Sequence, residues 1–412
     1  MKKKNWYKLD LVGTFYAFAK DSSLTAVLRF SAEMKEEVDK EILQQALEET
    51  IKDFPHFNVT LRRGVFWNYL ETVPFTSKVE EERKRVCAQI YLDGKALYRV
   101  SYYKKRINFE ASHILTDGKG ATSFLNRLLS HYLNMKEGIP LKVDDASSIE
   151  ERSENSFEKN YLKGKLTFPP KNKVYNYHKK KNKFPKYTEY HISVKDIKAL
   201  AKEAGVTITL YLLAVYFYSF KEEMRAKDFK KAVRIDVPVD LRTLYGSETT
   251  RNYISYLPIS YKFKGKDESF ESILENIKRI FNEEFDKDKL YERVNNLFYL
   301  EKNIFTRAVP LFIKDFVFTF VNKINSNRCS AVLSNVGIFK IQEDMEDYIS
   351  NINVFNHTDK IKLTMISYKD DLSIGINNAY LSNNLMKHFV RFLASRGIHG
   401  TVNMADWEVD DE

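Results

Sequence analysis

The sequence predicts a mixed α/β fold, sheets of mixed strand direction with helices packed on them, and three observations carry that prediction. Apolar residues recur at strand spacing in some segments and at helical spacing in others, without the strict alternation that builds a doubly wound parallel sheet. The composition is 43% hydrophobic and 14% aromatic, with 29 Phe and 25 Tyr, which supplies a core and argues against wholesale disorder. A length of 412 residues fits two or three domains, or one large body of two lobes.

The elements follow in chain order. Residues 39 to 52 read as an amphipathic helix, with Ile42, Leu43, Ala46, Leu47 and Ile51 near helical spacing. It stops before Phe54-Pro55, because proline restricts the residue ahead of it. Residues 58 to 70 are strand-like, with Val59, Leu61, Val65 and Trp67 among polar residues. Residues 97 to 112 predict a hairpin: Tyr98, Val100 and Tyr102 alternate, Lys104-Lys105-Arg106 turns, and Ile107, Phe109 and Ala111 alternate again. Phe124, Leu125, Leu128, Leu129, Tyr132 and Leu133 then form one helical stripe.

Between residues 134 and 186 the character changes to Ser and Glu, then Pro169-Pro170, then a Lys-rich run from Lys179 to Lys183, which reads as a long crossover with a solvated basic surface. A second set of elements begins at Tyr187. Tyr190, Ile192 and Val194 alternate as a strand, and Ser193 through Asp196 has the spacing of a capping box opening a helix that Gly205 closes. Thr209 is the expected cap of the next helix, whose residues 210 to 220 are apolar on nearly every side and so lie inside the fold. Strands are expected over 233–239, 254–261, 331–333, 363–368 and 372–376, and helices over 269–285 and 382–395. The resulting division is a first lobe at 1–145, a crossover at 146–186 and a second lobe at 187–412.

Several function classes lose support at this stage. Cys87 and Cys329 are the only cysteines, which excludes a disulfide framework and a zinc site built on paired cysteines, and fits a reducing cytoplasm. Lys2 to Lys4 followed by the apolar run Leu9 to Ala19 loosely mimics a signal peptide, but Asp10 opens the run and Gly13-Thr14 interrupt it. No stretch is long and apolar enough to predict a membrane-spanning helix. The formal charge of +10 attracts phosphates of any kind. The Lys179 to Lys183 run lies near Tyr175, Tyr177 and Phe184, yet no nucleic-acid module accompanies it, and no nucleic-acid partner is expected. None of the 14 glycines is spaced for a phosphate loop or a nucleophile elbow, and after Gly118 and Gly120 it is Ser123 that stands where a dinucleotide motif needs its third glycine. No histidine is followed by glutamate, so HExxH chemistry is absent.

Chemistry is legible in one segment, Ala111-Ser112-His113-Ile114-Leu115-Thr116-Asp117-Gly118. Alternation places His113 on the face of Ile107, Phe109 and Ala111, at the strand's end and pointing inward. A partly buried neutral imidazole is a suitable general base near pH 7. A lone histidine on an apolar face is more often a hydrogen-bonded core residue, and both readings stand at this point. Gly118 is expected to supply conformational freedom as the chain turns into the helix, and Asp117 to fix the loop by pairing with a distant arginine. A metal site on His113 and Asp117 finds no third ligand by spacing, so no metal is expected.

His113-Ile114-Leu115-Thr116-Asp117-Gly118, followed by Gly120 and a helix with Phe124-Leu125, resembles the HxxxDG signature of the chloramphenicol acetyltransferase-like superfamily. This superfamily includes CoA-dependent alcohol acetyltransferases, polyketide-associated acyltransferases, plant BAHD enzymes and the condensation domains of nonribosomal peptide synthesis. Four further segments are similar to the family's pattern in the same order: Phe54-Pro55-His56-Phe57 with Leu61-Arg62, Gly205-Val206-Thr207 before an apolar helix, Val237 through Arg242 followed by Asn252, and Leu333-Ser334-Asn335-Val336-Gly337. The resemblance covers residues 39 to 391. It implies two lobes with a tunnel at their interface, acyl-CoA as co-substrate, a small-molecule alcohol or amine as acceptor, His113 as general base in direct attack on the thioester, and no acyl-enzyme. It assigns structural roles to Asp117 and Gly118, names Arg242 as the partner of Asp117, and makes Asn252, Ser334 and Asn335 candidates for oxyanion or substrate binding. Condensation domains carry a second histidine where Ser112 stands, which favours a free-standing acetyltransferase, and the DFGWG motif of the plant enzymes is absent. An acyl carrier protein as donor, or a catalytically silent binding module of the same fold, are the alternatives.

Overall fold

The computed structural model describes residues 6–18, 25–74, 77–90, 94–142, 147–162, 173–317 and 328–404. Among these residues the strands form three sheets. The smallest is antiparallel and joins β1 (Trp6–Lys8), β3 (Val59–Arg63) and β4 (Asn68–Thr72) in the order β1-β4-β3. The segment expected as one strand over 58–70 is thus a hairpin whose turn holds Val65 and Phe66.

The sheet of the first lobe contains β2 (Val27–Met34), β5 (Glu80–Glu81), β6 (Tyr98–Tyr103), β7 (Arg106–Ser112) and β12 (Ile349–Asn356), in the order β12-β2-β7-β6-β5. Leu28, Phe30 and Ala32 of β2 and Ile107, Phe109 and Ala111 of β7 face one core with Leu43 and Leu47 of α2 (Lys40–Asp53) and Phe124 and Leu128 of α3 (Gly118–Glu137). The alternate residues Arg29, Ser31, Asn108 and Glu110 are buried on the other face, where Arg29 pairs with Glu82 and donates to Asn108 Oδ1 at 2.8 Å. Both faces of this sheet are therefore covered.

The large sheet contains β8 (Lys181–Ser193), β9 (Val233–Asp240), β10 (Ile254–Tyr261), β11 (Ala331–Ile338), β13 (Ile361–Tyr368), β14 (Asp371–Tyr380) and β15 (Gly400–Met404), in the order β10-β9-β11-β13-β14-β8-β15. Ile235, Leu257, Leu333, Leu363, Met365 and Ile374 pack under four helices, α4 (Val194–Glu203), α5 (Ile208–Glu223), α6 (Phe270–Glu284) and α8 (Asn384–Ser395). Another helix, α7 (Lys287–Lys302), follows α6. The opposite face of the sheet meets the first lobe through β12. Ser373 Oγ donates to Asn353 Oδ1 at 2.8 Å, Asn351 Nδ2 lies 3.2 Å from His191 Nδ1, and a Cβ on Gly375 would sit 1.7 Å from Val354 O.

The structure departs from the expected organisation in several places. β12, from the second half of the chain, pairs with β2 and completes the first lobe's sheet, because its apolar residues Ile352 and Val354 bury against the first-lobe core. β8 begins at Lys181, inside the expected crossover, while Pro169-Pro170 lie outside the described residues. Thr207, not Thr209, caps α5, its side chain accepting from Leu210 N at 3.2 Å. Ser193 caps α4 as expected, but Val194 is already helical. The signal-like run forms α1 (Leu11–Phe18), capped by Asp10, which accepts from Gly13 N at 2.7 Å. No single helix among the described residues is long and apolar enough to cross a membrane.

The face of the large sheet that meets β12 carries a charged cluster built within the second lobe. His191 of β8 lies 3.0 Å from Asp371 and 3.6 Å from Glu189. Burial works against the charged ring, but the two carboxylates outweigh it and push its pKa up to about 9. Against an unfolded value of about 6.5, this stabilisation is complete below that pH and is lost as pH rises through 9. In urea unfolding measured from pH 6 to 10, the stability difference between the unaltered chain and His191→Gln is expected to shrink across this window, a comparison that subtracts the other groups titrating there.

Candidate active site

β7 ends at Ser112, so His113 is the first residue of the turn that follows. Its amide continues the ladder, donating to Ala26 O at 2.8 Å. The ring is buried, as the alternation predicts. It lies at the lobe junction, stacked on Tyr16 of α1 with 4.8 Å between centroids and 11° between planes. His113 is 4% exposed.

Both ring nitrogens have amide neighbours from the second half of the chain. Asn252 donates through Nδ2 to His113 O at 2.9 Å and to the Asp10 carboxylate at 3.2 Å. Those donations fix its orientation and leave Oδ1 facing His113 Nδ1, a long approach of 3.5 Å. An amide oxygen only accepts, so the network assigns the proton to Nδ1 and a lone pair to Nε2. Asn356, at the end of β12, places Nδ2 3.2 Å from Nε2. Burial and then the nearby Lys362 charge lower the ring's pKa to about 3, opposed by its hydrogen bonds to Asn252 and Thr116. The imidazole is thus neutral at physiological pH. Lys362 is itself buried, and desolvation lowers its pKa to about 7.

Asp117 holds the turn and α3 together. Its Oδ1 accepts from Gly120 N at 3.0 Å as the helix cap, and both its oxygens lie 3.0 Å from Arg242 Nη2. Oδ2 also accepts from Tyr253 N at 2.8 Å. Arg242 in turn donates to Thr249 O at 2.7 Å, Arg251 O at 2.6 Å and Asp240 Oδ1 at 2.8 Å. Residues 249–253 are buried and wedge against the motif, with Thr116 Oγ1 donating to Thr250 O at 2.6 Å and His56 Nε2 lying 2.7 Å from Thr250 Oγ1. A Cβ on Gly120 would lie 1.9 Å from Thr250 O, so only glycine fits there. Gly118 has no left-handed backbone, contrary to the expected need for freedom. It opens α3, and a Cβ there would meet Val336 of β11 at 3.3 Å, so close approach is its constraint.

The three candidates for oxyanion or substrate contacts separate. Asn252 is beside His113, but its donors are spent on Asp10 and His113 O, and it orients the ring instead. Asn335 is exposed and turned away, donating to Thr209 Oγ1 at 2.8 Å and accepting from Gly337 N at 2.9 Å. Ser334 alternates with the core residue Leu333 and therefore lies on the face of β11 toward the first lobe. Tyr16, Asp10, Asn356 and Lys362 were not singled out from sequence. Asp10 carried a usable signal, an acidic residue directly before an apolar helical run.

Two measurements check this geometry. Nitrogen-15 NMR of the histidines is expected to show His113 neutral with Nδ1 protonated and no titration between pH 5 and 8; a midpoint near 6.5 contradicts the assignment. Arg242→Met, which leaves the Asp117 carboxylate buried without its cation, is expected to cost about 3–5 kcal/mol in urea unfolding, with part recovered in the double variant carrying Asp117→Asn.

No protein-family model matches the sequence, and no curated protein matches it. Solved structures do. A trichothecene 15-O-acetyltransferase from Fusarium sporotrichioides superimposes with a TM-score of 0.64 at 12% identity, over 94% of this chain and 96% of that one. Polyketide synthase associated protein 5 from Mycobacterium tuberculosis gives 0.62 at 11% identity, over 96% and 98%. The first condensation domain of the calcium-dependent antibiotic synthetase, in complex with a substrate analogue, gives 0.63 at 14% identity, over 95% and 96%. Nearly the whole length takes part in each match, and the chain has the two-lobed chloramphenicol acetyltransferase-like fold that these structures share.

Proposed function

We propose that this chain is an acyltransferase that moves an acyl group from acyl-CoA to the hydroxyl or amine of a small acceptor, with His113 as general base. The observation that carries this reading is the neutral imidazole at the lobe junction, its Nδ1 proton directed at Asn252 and its Nε2 lone pair opposite. A neutral alcohol is a weak nucleophile, and removal of its proton during attack is the direct remedy. The acceptor oxygen or nitrogen forms a bond to the thioester carbonyl carbon while its proton passes to Nε2. Collapse of the tetrahedral intermediate breaks the carbon–sulfur bond, and the imidazolium returns the proton to the departing CoA thiolate. No acyl-enzyme forms.

Asn356 now occupies the side of Nε2 that the acceptor must reach, so its amide has to be displaced before reaction. The oxyanion needs its own donors. Ser334, on the interlobe face, is the remaining sequence candidate. We place the reaction in the cytoplasm, in keeping with the free thiols of Cys87 and Cys329. A second reading, in which a carrier protein delivers the acyl group, draws support from the fold shared with a condensation domain and from the net charge of +10, which attracts acidic partners.

Thiol release from a panel of acyl-CoA donors, with alcohols and amines as acceptors, is the test. His113→Ala is expected to lower turnover by about 10²–10⁴-fold with an unchanged circular dichroism spectrum. Unchanged turnover in the folded variant removes His113 from the reaction, turnover only with a carrier-bound acyl group replaces the donor, and no turnover with either donor supports a silent binding module.

A further inference from the structure

Among the described residues, the interlobe face of β13 carries a buried lysine without a counter-ion. Lys362 follows Ile361 and precedes Leu363, both in the second-lobe core, so its side chain leaves the sheet on the opposite side. It is 6% exposed, and among the described residues nothing forms a hydrogen bond or ion pair with its ammonium. The ionisable neighbours that act on it are the thiols of Cys87 and Cys329, and burial raises the pKa of both so that they stay protonated. Carboxylates on the same face are committed elsewhere. Asp236, two strands away across Val332, holds Arg234 at 2.7 Å, and Glu189 faces His191.

Two further polar atoms beside it lack partners. Asn377 lies directly across from Lys362 in the β13–β14 register, and Thr364 is the next residue along β13 on that face. Asn377 Nδ2 donates to Thr358 O at 2.9 Å and Lys360 O at 3.3 Å, which fixes the amide and leaves Oδ1 buried and unmatched. Thr364 Oγ1 is likewise buried and unmatched. Buried polar atoms are normally satisfied, and a buried charge is normally paired. One face thus presents an ammonium, a hydroxyl and an amide oxygen, all without partners.

We infer that Lys362, Thr364 and Asn377 form a subsite for a carboxylate carried by the substrate that is presented to His113. The ammonium and the hydroxyl are two donors for two carboxylate oxygens. The amide oxygen of Asn377 repels a bare dianion such as phosphate and instead accepts from an O–H or N–H next to the carboxylate, as a hydroxy acid or an amino acid supplies. Asn377 Nδ2 donates to Thr358 O, two residues beyond Asn356, whose own Nδ2 lies 3.2 Å from His113 Nε2, so one short segment joins the subsite to the imidazole. The inference rests on the acyl-transfer reading for its use, but binding itself does not depend on turnover.

The test begins with binding of sodium lactate, with lactamide as the uncharged isostere, followed by thermal unfolding and calorimetry. Lactate is expected to raise Tm and lactamide not to, and Lys362→Met to weaken lactate binding at least tenfold without lowering Tm of the free protein, since an uncompensated buried charge is removed. Thr364→Val is the second variant, expected to weaken lactate binding if Lys362→Met fails to fold. Two kinetic arms locate the carboxylate: acetyl-CoA with lactate as acceptor, and succinyl-CoA with a neutral alcohol. In Lys362→Met the KM of the carboxylate-bearing partner is expected to rise at least tenfold in one arm, with the KM values of uncharged partners unchanged. Equal effects of lactate and lactamide, or binding indifferent to both substitutions, overturn the subsite. Thiol release without carboxylate preference overturns it while leaving acyl transfer intact, and lactate binding that depends on Lys362 without any thiol release has the opposite meaning.

Discussion

The fold of this chain turns on one buried carboxylate. Asp117 caps α3, receives Arg242 at 3.0 Å and receives the backbone of Tyr253, so three separate pieces of the chain converge on two oxygen atoms. Two of those pieces, Arg242 and residues 249–253, come from the second half. Such a pair contributes little as a simple gain in stability, because removing both charges from water is costly. Its effect is geometric: the first lobe's turn from His113 to Asp117 and the second lobe's irregular segment have one low-energy way to meet. Gly120 enforces the same result by steric means, since its Cα sits against Thr250 O with no room for a side chain.

From that fixed contact the imidazole inherits its position and its chemistry. Asn252, two residues from Thr250, reaches the ring because the segment is anchored on Asp117. Asp10 in turn orients the Asn252 amide. Burial keeps the ring neutral, and the orientation of Asn252 selects which nitrogen carries the lone pair. The site is closed in this conformation, with Tyr16 on the face of the ring and Asn356 at Nε2. An imidazole held in this way has its orientation and tautomer set by the fold itself, with the Asn356 amide over its free lone pair.

The sequence showed much of this through local signals. The hairpin over 97–112 and the long helix after it were legible because alternation at Phe109 and Ala111 gives way to helical spacing at Phe124 and Leu128. The motif His113 through Gly118 was legible because a turn, a cap and a helix start are written in adjacent residues. The pairing of Asp117 with Arg242 entered through resemblance, since no local rule links residues 125 positions apart. β2 and β12 were missed, as their burial on both faces hides the alternation that marks a half-exposed strand. Lys362 is the sharpest case. The series Ile361, Lys362, Leu363, Thr364, Met365 reads as a strand with one wet face, yet that face is covered by the other lobe.

What the sequence determined by itself is the mixed α/β class, many of the elements with their order, and the turn that carries His113, because periodicity, capping and turn chemistry act over a few neighbouring residues. Tertiary structure alone decided which amides meet the imidazole, why Gly120 must lack a side chain and where, among the described residues, a lysine is left without an anion. Those outcomes depend on two lobes closing over one another, and burial, unlike helix or strand preference, is a property of the whole chain.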